Sequence, residues 1–151
     1  MKKYLTSIFF LLAAFSLAAQ TAADLDILLE TNEVSAAQAA RFVLEAVELL
    51  PPGLSGAVAE SVAYDRAKMR GWLKGAAEDA ISLQDAAFLV MSAFAFRGGL
   101  MYFLLPGPRY AYREMVYRRL IQGRPDPTMT VSGPLLLQII GRSLEYSGDA
   151  R

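Results

Sequence analysis

The chain has 151 residues, with 15 basic and 15 acidic side chains and neither cysteine nor histidine. Disulfides are therefore excluded, and the chain lacks the commonest general base, the commonest metal ligands and the usual partners of a catalytic nucleophile. The length suits one domain, and these absences predict that packing alone stabilises it, with no metal, no cofactor and no enzymatic activity. The open alternative is a cell-wall hydrolase that uses only carboxylates, two of which would converge in a cleft roughly 5 to 9.5 Å apart.

The N-terminus has the layout of a secretory signal peptide. Lys2 and Lys3 precede an apolar run over residues 8–17, and Ser16-Leu17-Ala18 fits a cleavage site. The run is short for a membrane span, although an uncleaved anchor is an open alternative. No cysteine follows the run, which excludes a bacterial lipid anchor attached through an N-terminal cysteine. We expect a signal peptide at residues 1–19 and an exported, periplasmic or envelope-associated domain at residues 20–151.

A short segment recurs three times along the predicted mature chain. Residues 34–44 return at residues 81–91 and, more loosely, at residues 131–141, with offsets of 47 and 50 residues. Self-similarity at such a spacing is typical of a repeated supersecondary unit. Each copy places a serine ahead of an apolar 3–4 periodicity, which predicts an N-capped helix. The capping serines are Ser35, Ser82 and Ser132.

Glycines and prolines mark the predicted helix ends. Pro51-Pro52-Gly53 and Gly98-Gly99 follow two of the capped helices, while Gly75 and Gly123 end the helices between them and are expected in a left-handed cap conformation. The sequence thus predicts an all-α helical bundle of about two and a half to three helix-loop-helix repeats, with a short first helix at residues 24–30. The five main helices are predicted at residues 36–50, 57–73, 82–97, 109–122 and 132–146. Between the capped helices we expect buried Ala39, Val43, Ala86, Val90, Leu136 and Ile140.

The repeated unit resembles the S-layer homology family. It consists of a helix ending in a Leu/Ile-x-Gly turn, an Asp-bearing loop and a Val/Ile-Ser start to a second helix, most clearly at residues 112–144 and more loosely at residues 64–94. The resemblance implies a pseudo-threefold helical bundle that binds anionic cell-wall glycopolymer between its units. The family's second helix opens with a Thr-Arg-Ala-Glu motif whose arginine holds the ligand, and none of the three copies here carries that arginine. An unrelated bundle with coincidental repetition is the open alternative.

Residues 100–108 are almost wholly apolar but contain one glycine and two prolines. Such a segment is poorly suited to a helix, and it either covers core or forms an exposed patch for a partner or a membrane. Arg97-Gly98-Gly99 separates it from the apolar residues 86–96, which argues against a membrane-spanning helix and leaves peripheral contact. The predicted partner-binding residues are Leu100, Met101, Tyr102, Phe103, Leu104 and Leu105.

Arginines and tyrosines alternate in the segment that follows, residues 109–119. It belongs to the basic part of the chain, since residues 97–151 carry 8 basic and 4 acidic side chains and residues 20–96 carry 5 and 11. Arginine binds carboxylate or phosphate and tyrosine rings stack on sugars, which suits an anionic glycan; a solvated arginine face is the open alternative. Export and zero net charge argue against nucleic acid. The predicted glycan- or anion-binding residues are Arg109, Tyr110, Tyr112, Arg113, Arg118, Arg119, Arg124 and Trp72, for the last of which a core position is the alternative.

These patterns together predict a non-enzymatic cell-envelope module that binds cell-wall glycan in the manner of the S-layer homology family. The alternative is a scaffold that docks an envelope protein through residues 100–108. The sequence does not specify an oligomeric state.

Overall fold

The computed structural model describes residues 22–149, so the predicted signal peptide at residues 1–19 lies outside the described residues. Within this range the chain forms helices and two isolated bridges but no strand, which confirms the all-α prediction. No helix in the described range has the length and apolarity needed to cross a bilayer. The helices are α1 (22–30), α2 (Ala36–Ala46), α3 (Gly56–Met69), α4 (Leu83–Ala93), α5 (Leu100–Leu104), α6 (Pro108–Tyr117) and α7 (Gly133–Asp149).

A closed ring of three backbone hydrogen bonds joins the three repeats. The N–H of Val34 donates to the carbonyl of Val131 (2.8 Å), that of Val131 to Ile81 (3.1 Å), and that of Ile81 back to Val34 (2.9 Å). All three residues are buried, and each directly precedes one of the capping serines. The repeats therefore surround a pseudo-threefold axis, and the alignment at offsets of 47 and 50 residues is confirmed.

A second set of three backbone hydrogen bonds repeats the same symmetry. In each case the first residue of a capped helix donates to the loop ahead of another capped helix, so that α2, α4 and α7 hold one another in a cycle. Each bond measures 2.9 Å, and the pairs are Ala36 with Asp79, Leu83 with Met129 and Gly133 with Thr31.

The capped helices begin as the serines predict. The Ser35 hydroxyl accepts from the Gln38 N–H (3.2 Å) while the Gln38 side chain accepts from the Ser35 N–H (3.1 Å), which completes a capping box. The Ser82 hydroxyl accepts from the Asp85 N–H (3.3 Å). In the third copy α7 begins directly after Ser132, but no N–H of its first turn bonds to the Ser132 hydroxyl; Pro134 lies in that turn, where its missing N–H costs little.

Four helices end four or five residues before the predicted positions, and they all end in the same turn. The residue two positions past each of α2, α3, α4 and α6 has a positive φ, and the next N–H bonds to the carbonyl five residues earlier. This is the Schellman motif, whose left-handed position is usually glycine. Only one of the four is a glycine, so composition gave no sign of the other ends. The left-handed residues are Glu48, Gly71, Ala95 and Arg119.

The prediction that Gly75 and Gly123 cap helices is wrong, although their conformation is as expected. Their φ angles are +87° and +72°, but both lie in the loops beyond the helix ends because Gly71 and Arg119 already occupy the left-handed cap positions. The loops therefore require the conformational freedom of these two glycines.

Replacing Gly123 with valine is expected to lower the free energy of unfolding by about 1–3 kcal/mol, because a β-branched residue is strained at positive φ. The space around its Cβ is open, so strain and not a clash is the cause. Gly123→Asn is the control, since asparagine tolerates this region better. Thermal melts in which both variants lose the same stability would contradict the explanation.

The core lies between the three capped helices. The six residues predicted to be buried there are all between 0 and 6 % exposed, which confirms the predicted packing face. Helix α3 packs against α2, and α6 packs against α4, outside this central group. Small residues allow the helices to approach closely, among them Ala39, Ala40, Ala86 and Ala87.

Candidate functional site: an arginine groove on α6

An open groove of about 920 Å³ runs along α6 and the loop that follows it. It lies at the C-terminal end of α6, where the chain turns into the loop, so both the helix and the loop supply side chains. We call it the arginine groove. Its lining residues are Tyr112, Arg113, Val116, Tyr117, Arg119, Ile121, Gln122, Gly123 and Arg124.

The charge of the arginine groove is entirely positive. Arg113, Arg119 and Arg124 are exposed, and none of the three forms an ion pair or a side-chain hydrogen bond with any residue from 22 to 149. No carboxylate lines the groove. Three arginine forks facing solvent in one concave surface can bind carboxylate or phosphate groups without first breaking internal contacts.

Two tyrosines frame the groove in different ways. Tyr117 is 83 % exposed, and its ring offers a flat surface beside the arginines. Tyr112 is half-buried, and its hydroxyl donates to the Pro125 carbonyl (2.5 Å), which ties the loop to α6. Tyr64 donates to the Gly75 carbonyl in the preceding repeat, so this bridge is a repeated structural device. Tyr112 therefore shapes the groove, whereas Tyr117 is available to a ligand.

Arg118 does not lie on a solvated face. Its guanidinium pairs with Glu114 (2.8 Å) and donates to the Tyr146 hydroxyl (3.1 Å) and to the Arg97 carbonyl. It also lies 5.2 Å from the centre of the Tyr146 ring. Arg118 therefore joins α6 to α7 and to the segment before α5, and its donors are already used by the protein.

The remaining predicted glycan-binding residues also lie outside the arginine groove. Arg109 is exposed at the start of α6, and Tyr110 is half-buried against a small cleft of about 290 Å³ beside α5. Trp72 packs against the core in the turn after α3, with the Arg70 guanidinium 4.8 Å from its ring centre. The structure thus brings together Tyr112, Arg113, Arg119 and Arg124 in the groove. It places Arg109, Arg118 and Trp72 elsewhere, and Tyr110 in the neighbouring cleft, which shares Arg113 and Tyr117 with the groove.

Tyr117 and Gln122 belong to the groove but were not predicted as site residues. Tyr117 follows Arg113 by four positions, so it shares a helix face with that arginine, and this spacing was the available signal. Gln122 gave no such signal, because its position depends on the loop beyond α6.

Residues 100–108 do not form the irregular loop that their composition indicates. Residues 100–104 form the short helix α5, with the Phe103 N–H bonded to the Gly99 carbonyl (3.0 Å), and Pro106 follows its end. The segment does not cover the core either, because five of the six predicted partner-binding side chains are between 50 and 78 % exposed. The sixth, Tyr102, is half-buried. The exposed five are Leu100, Met101, Phe103, Leu104 and Leu105.

A second groove, between α2 and α3, has the opposite charge. It lies beside the Ser35 cap and is lined by Glu60, Asp65 and Glu78 but by no basic residue. Burial raises the pKa of Glu60, partly offset by the charge of Arg41. Among residues 22–149 no three acidic side chains are grouped so that they could hold a metal ion. An anionic ligand is therefore repelled at this junction between repeats and attracted at the arginine groove.

Neither protein-family models, nor curated proteins, nor solved structures provide a match to this chain.

Proposed function

We propose that this protein is a non-enzymatic, exported module of the cell envelope that binds an anionic cell-wall glycan in the arginine groove. The observation that carries the proposal is the groove itself: Arg113, Arg119 and Arg124 are exposed and uncommitted around one concavity without a carboxylate. Export and the S-layer homology resemblance rest on the sequence alone, and both agree with a ligand of this class.

The groove suits a charged polysaccharide better than a small ion. Its volume of about 920 Å³ is open to solvent along α6, which suits a segment of an extended chain. Arginine forks supply hydrogen bonds to carboxylate or phosphate substituents, and the exposed Tyr117 ring supplies a stacking surface for a sugar. The site differs from the family's in that its arginines come from α6 and its loop instead of the second helix of each repeat.

Sedimentation of the protein with purified cell-wall sacculi tests the proposal. We expect binding that weakens as salt rises, because attraction between charges is screened. Arg113→Ala, Arg124→Ala and Tyr117→Ala should each weaken binding by about three- to tenfold, since each removes one exposed contact without disturbing the fold. Lys74→Ala is the matched control, because Lys74 is an exposed cation away from the groove.

Two results would contradict the proposal. One is the absence of any salt-sensitive binding to sacculi. The other is an equal loss of binding in the Lys74→Ala control, which would indicate a general effect of charge and no defined groove.

Docking of an envelope protein through residues 100–108 is the second candidate function, and the exposure of α5 is the observation in its favour. Under this function the protein does not sediment with sacculi, and a partner protein co-purifies with it. The Phe103→Ser variant loses that partner.

A further inference from the structure

Helix α5 is held firmly at its base while its outer side projects into solvent. The Tyr102 ring packs edge-to-face on Phe88 with 6.4 Å between ring centres, and burial raises the pKa of Tyr102. A Cβ at Gly98 would lie only 2.6 Å from the Cβ and Cγ atoms of Tyr102, so this close approach requires glycine. The Gly99 N–H donates to Glu114 (3.1 Å). The projecting face is therefore positioned by α4 and α6 and does not depend on a mobile loop.

The projecting face is apolar and carries no polar side chain. Leu100, Met101, Phe103, Leu104 and Leu105 are each at least half exposed. Between Gly98 and Pro108 the only polar side chain is that of Tyr102, which is turned inward onto Phe88. Five exposed apolar side chains within six residues are costly in water and indicate that this face is covered in use.

Basic residues surround the apolar face. Arg97, Arg109 and Arg113 are exposed near the two ends of α5, and the nearby Glu114 is paired with Arg118. An apolar depression of about 720 Å³ lies beside α5, with one arginine at its edge. Its lining residues are Phe96, Arg97, Gly98, Leu100, Tyr102, Phe103 and Pro106.

We propose that α5 inserts into the interfacial region of an anionic lipid bilayer, with the arginines at the level of the headgroups. Peripheral helices lie in the plane of the interface with an apolar face buried to a depth of roughly 5–10 Å, and α5 presents such a face to solvent. Hydrocarbon favours a surface without polar groups, and the exposed side chains of α5 and Leu105 carry none. The cationic surroundings complement the negative headgroups, each arginine adding affinity. The inference shares Arg113 with the arginine groove but does not rest on glycan binding there.

A single-site fluorescent label tests the insertion, because the chain has no cysteine of its own. The full protein carrying Leu104→Cys, which keeps Phe103 and is 60 % exposed on the same face, is labelled with an environment-sensitive dye and mixed with vesicles of phosphatidylglycerol and phosphatidylcholine. We expect a blue shift, a several-fold rise in emission and quenching by brominated lipid. Val58→Cys is the matched control, because Val58 is 61 % exposed on α3 and should show no response.

Variants without the label separate the apolar and the electrostatic contributions. Phe103→Ser should abolish vesicle binding, and Arg97→Ala and Arg109→Ala should each weaken it about fivefold, whereas Lys74→Ala should not. No dye response at any phosphatidylglycerol content would overturn the proposal, as would an equal response at Val58→Cys or with neutral vesicles. Self-association that is lost in Phe103→Ser would assign the face to a second copy of the chain. Sacculi contain no lipid, so failure here and failure of the glycan proposal are distinguishable.

Discussion

Replacing Gly133 with alanine is expected to lower the free energy of unfolding by about 3 kcal/mol or more, the largest effect of an added methyl group at any of the glycines. A Cβ at Gly133 would lie 1.6 Å from the Leu28 carbonyl oxygen and 2.6 Å from its carbon. Backbone cannot rotate aside as a side chain can, so α1 and α7 would have to separate. That movement would also stretch the hydrogen bond from the Gly133 N–H to the Thr31 carbonyl.

Gly141→Ala is the matched control, since it makes the same substitution in the same helix. A Cβ at Gly141 meets nothing within 4 Å, and alanine is the better helix former, so this variant should be more stable by about 0.5–1 kcal/mol. Urea unfolding of both variants measures the difference. Equal stabilities would mean that α1 does not lie against the start of α7.

Replacing Arg41 with alanine is expected to lower the free energy of unfolding by about 2–4 kcal/mol. Arg41 is 4 % exposed, pairs with Glu45 (2.9 Å) and also hydrogen-bonds Asp24, which joins α2 to α1. Burial lowers the pKa of Arg41, but the hydrogen bonds and negative charges of Asp24 and Glu45 raise it by more. The pKa of Arg41 therefore lies above its ordinary value. Without it, two carboxylates remain close together and partly desolvated. Because Asp24 and Glu45 are partly exposed, we expect a smaller loss of stability than for a fully buried ion pair.

Arg109→Ala serves as the comparison for stability, because Arg109 is exposed and should change the free energy of unfolding by less than about 0.5 kcal/mol. Chemical denaturation at low and high salt distinguishes the two arginines further. The contribution of Arg41 should persist at high salt, since buried charges are poorly screened. A small loss at Arg41, or a loss that disappears in salt, would contradict its role as a buried tie.

The parts of the fold that depend on local pattern could be predicted from the sequence. Val34, Ile81 and Val131 stand at equal places in the repeats, and the structure joins these three in one ring. The Ser35 cap needs only residues within three positions of it. Helix ends were harder to predict, because residues such as Ala95 and Arg119 take the left-handed position under the constraint of Schellman hydrogen bonds and not by preference.

The candidate site was predictable only in part, because its division depends on contacts between distant residues. Arg113 and Arg118 look alike in sequence, yet Arg118 pairs with Glu114 and reaches Tyr146 and Arg97, and Arg113 does not. For Arg41 the sequence shows only Glu45, four residues on, whereas its other partner, Asp24, lies in another helix. Distinguishing a ligand-binding arginine from a packing arginine therefore required the tertiary structure.

The hydrogen-bonded ring also fixes the order in which the molecule can assemble. A chain that emerges N-terminus first from a ribosome or a translocation pore contains Val34 well before its partner, because the carbonyl that Val34 requires belongs to Val131, 97 residues later. An open stack of repeats can add its units one at a time, whereas a closed ring leaves the first two units incomplete until the third arrives. The ring therefore cannot close before Val131 is made, and the finished domain should unfold in a single cooperative step.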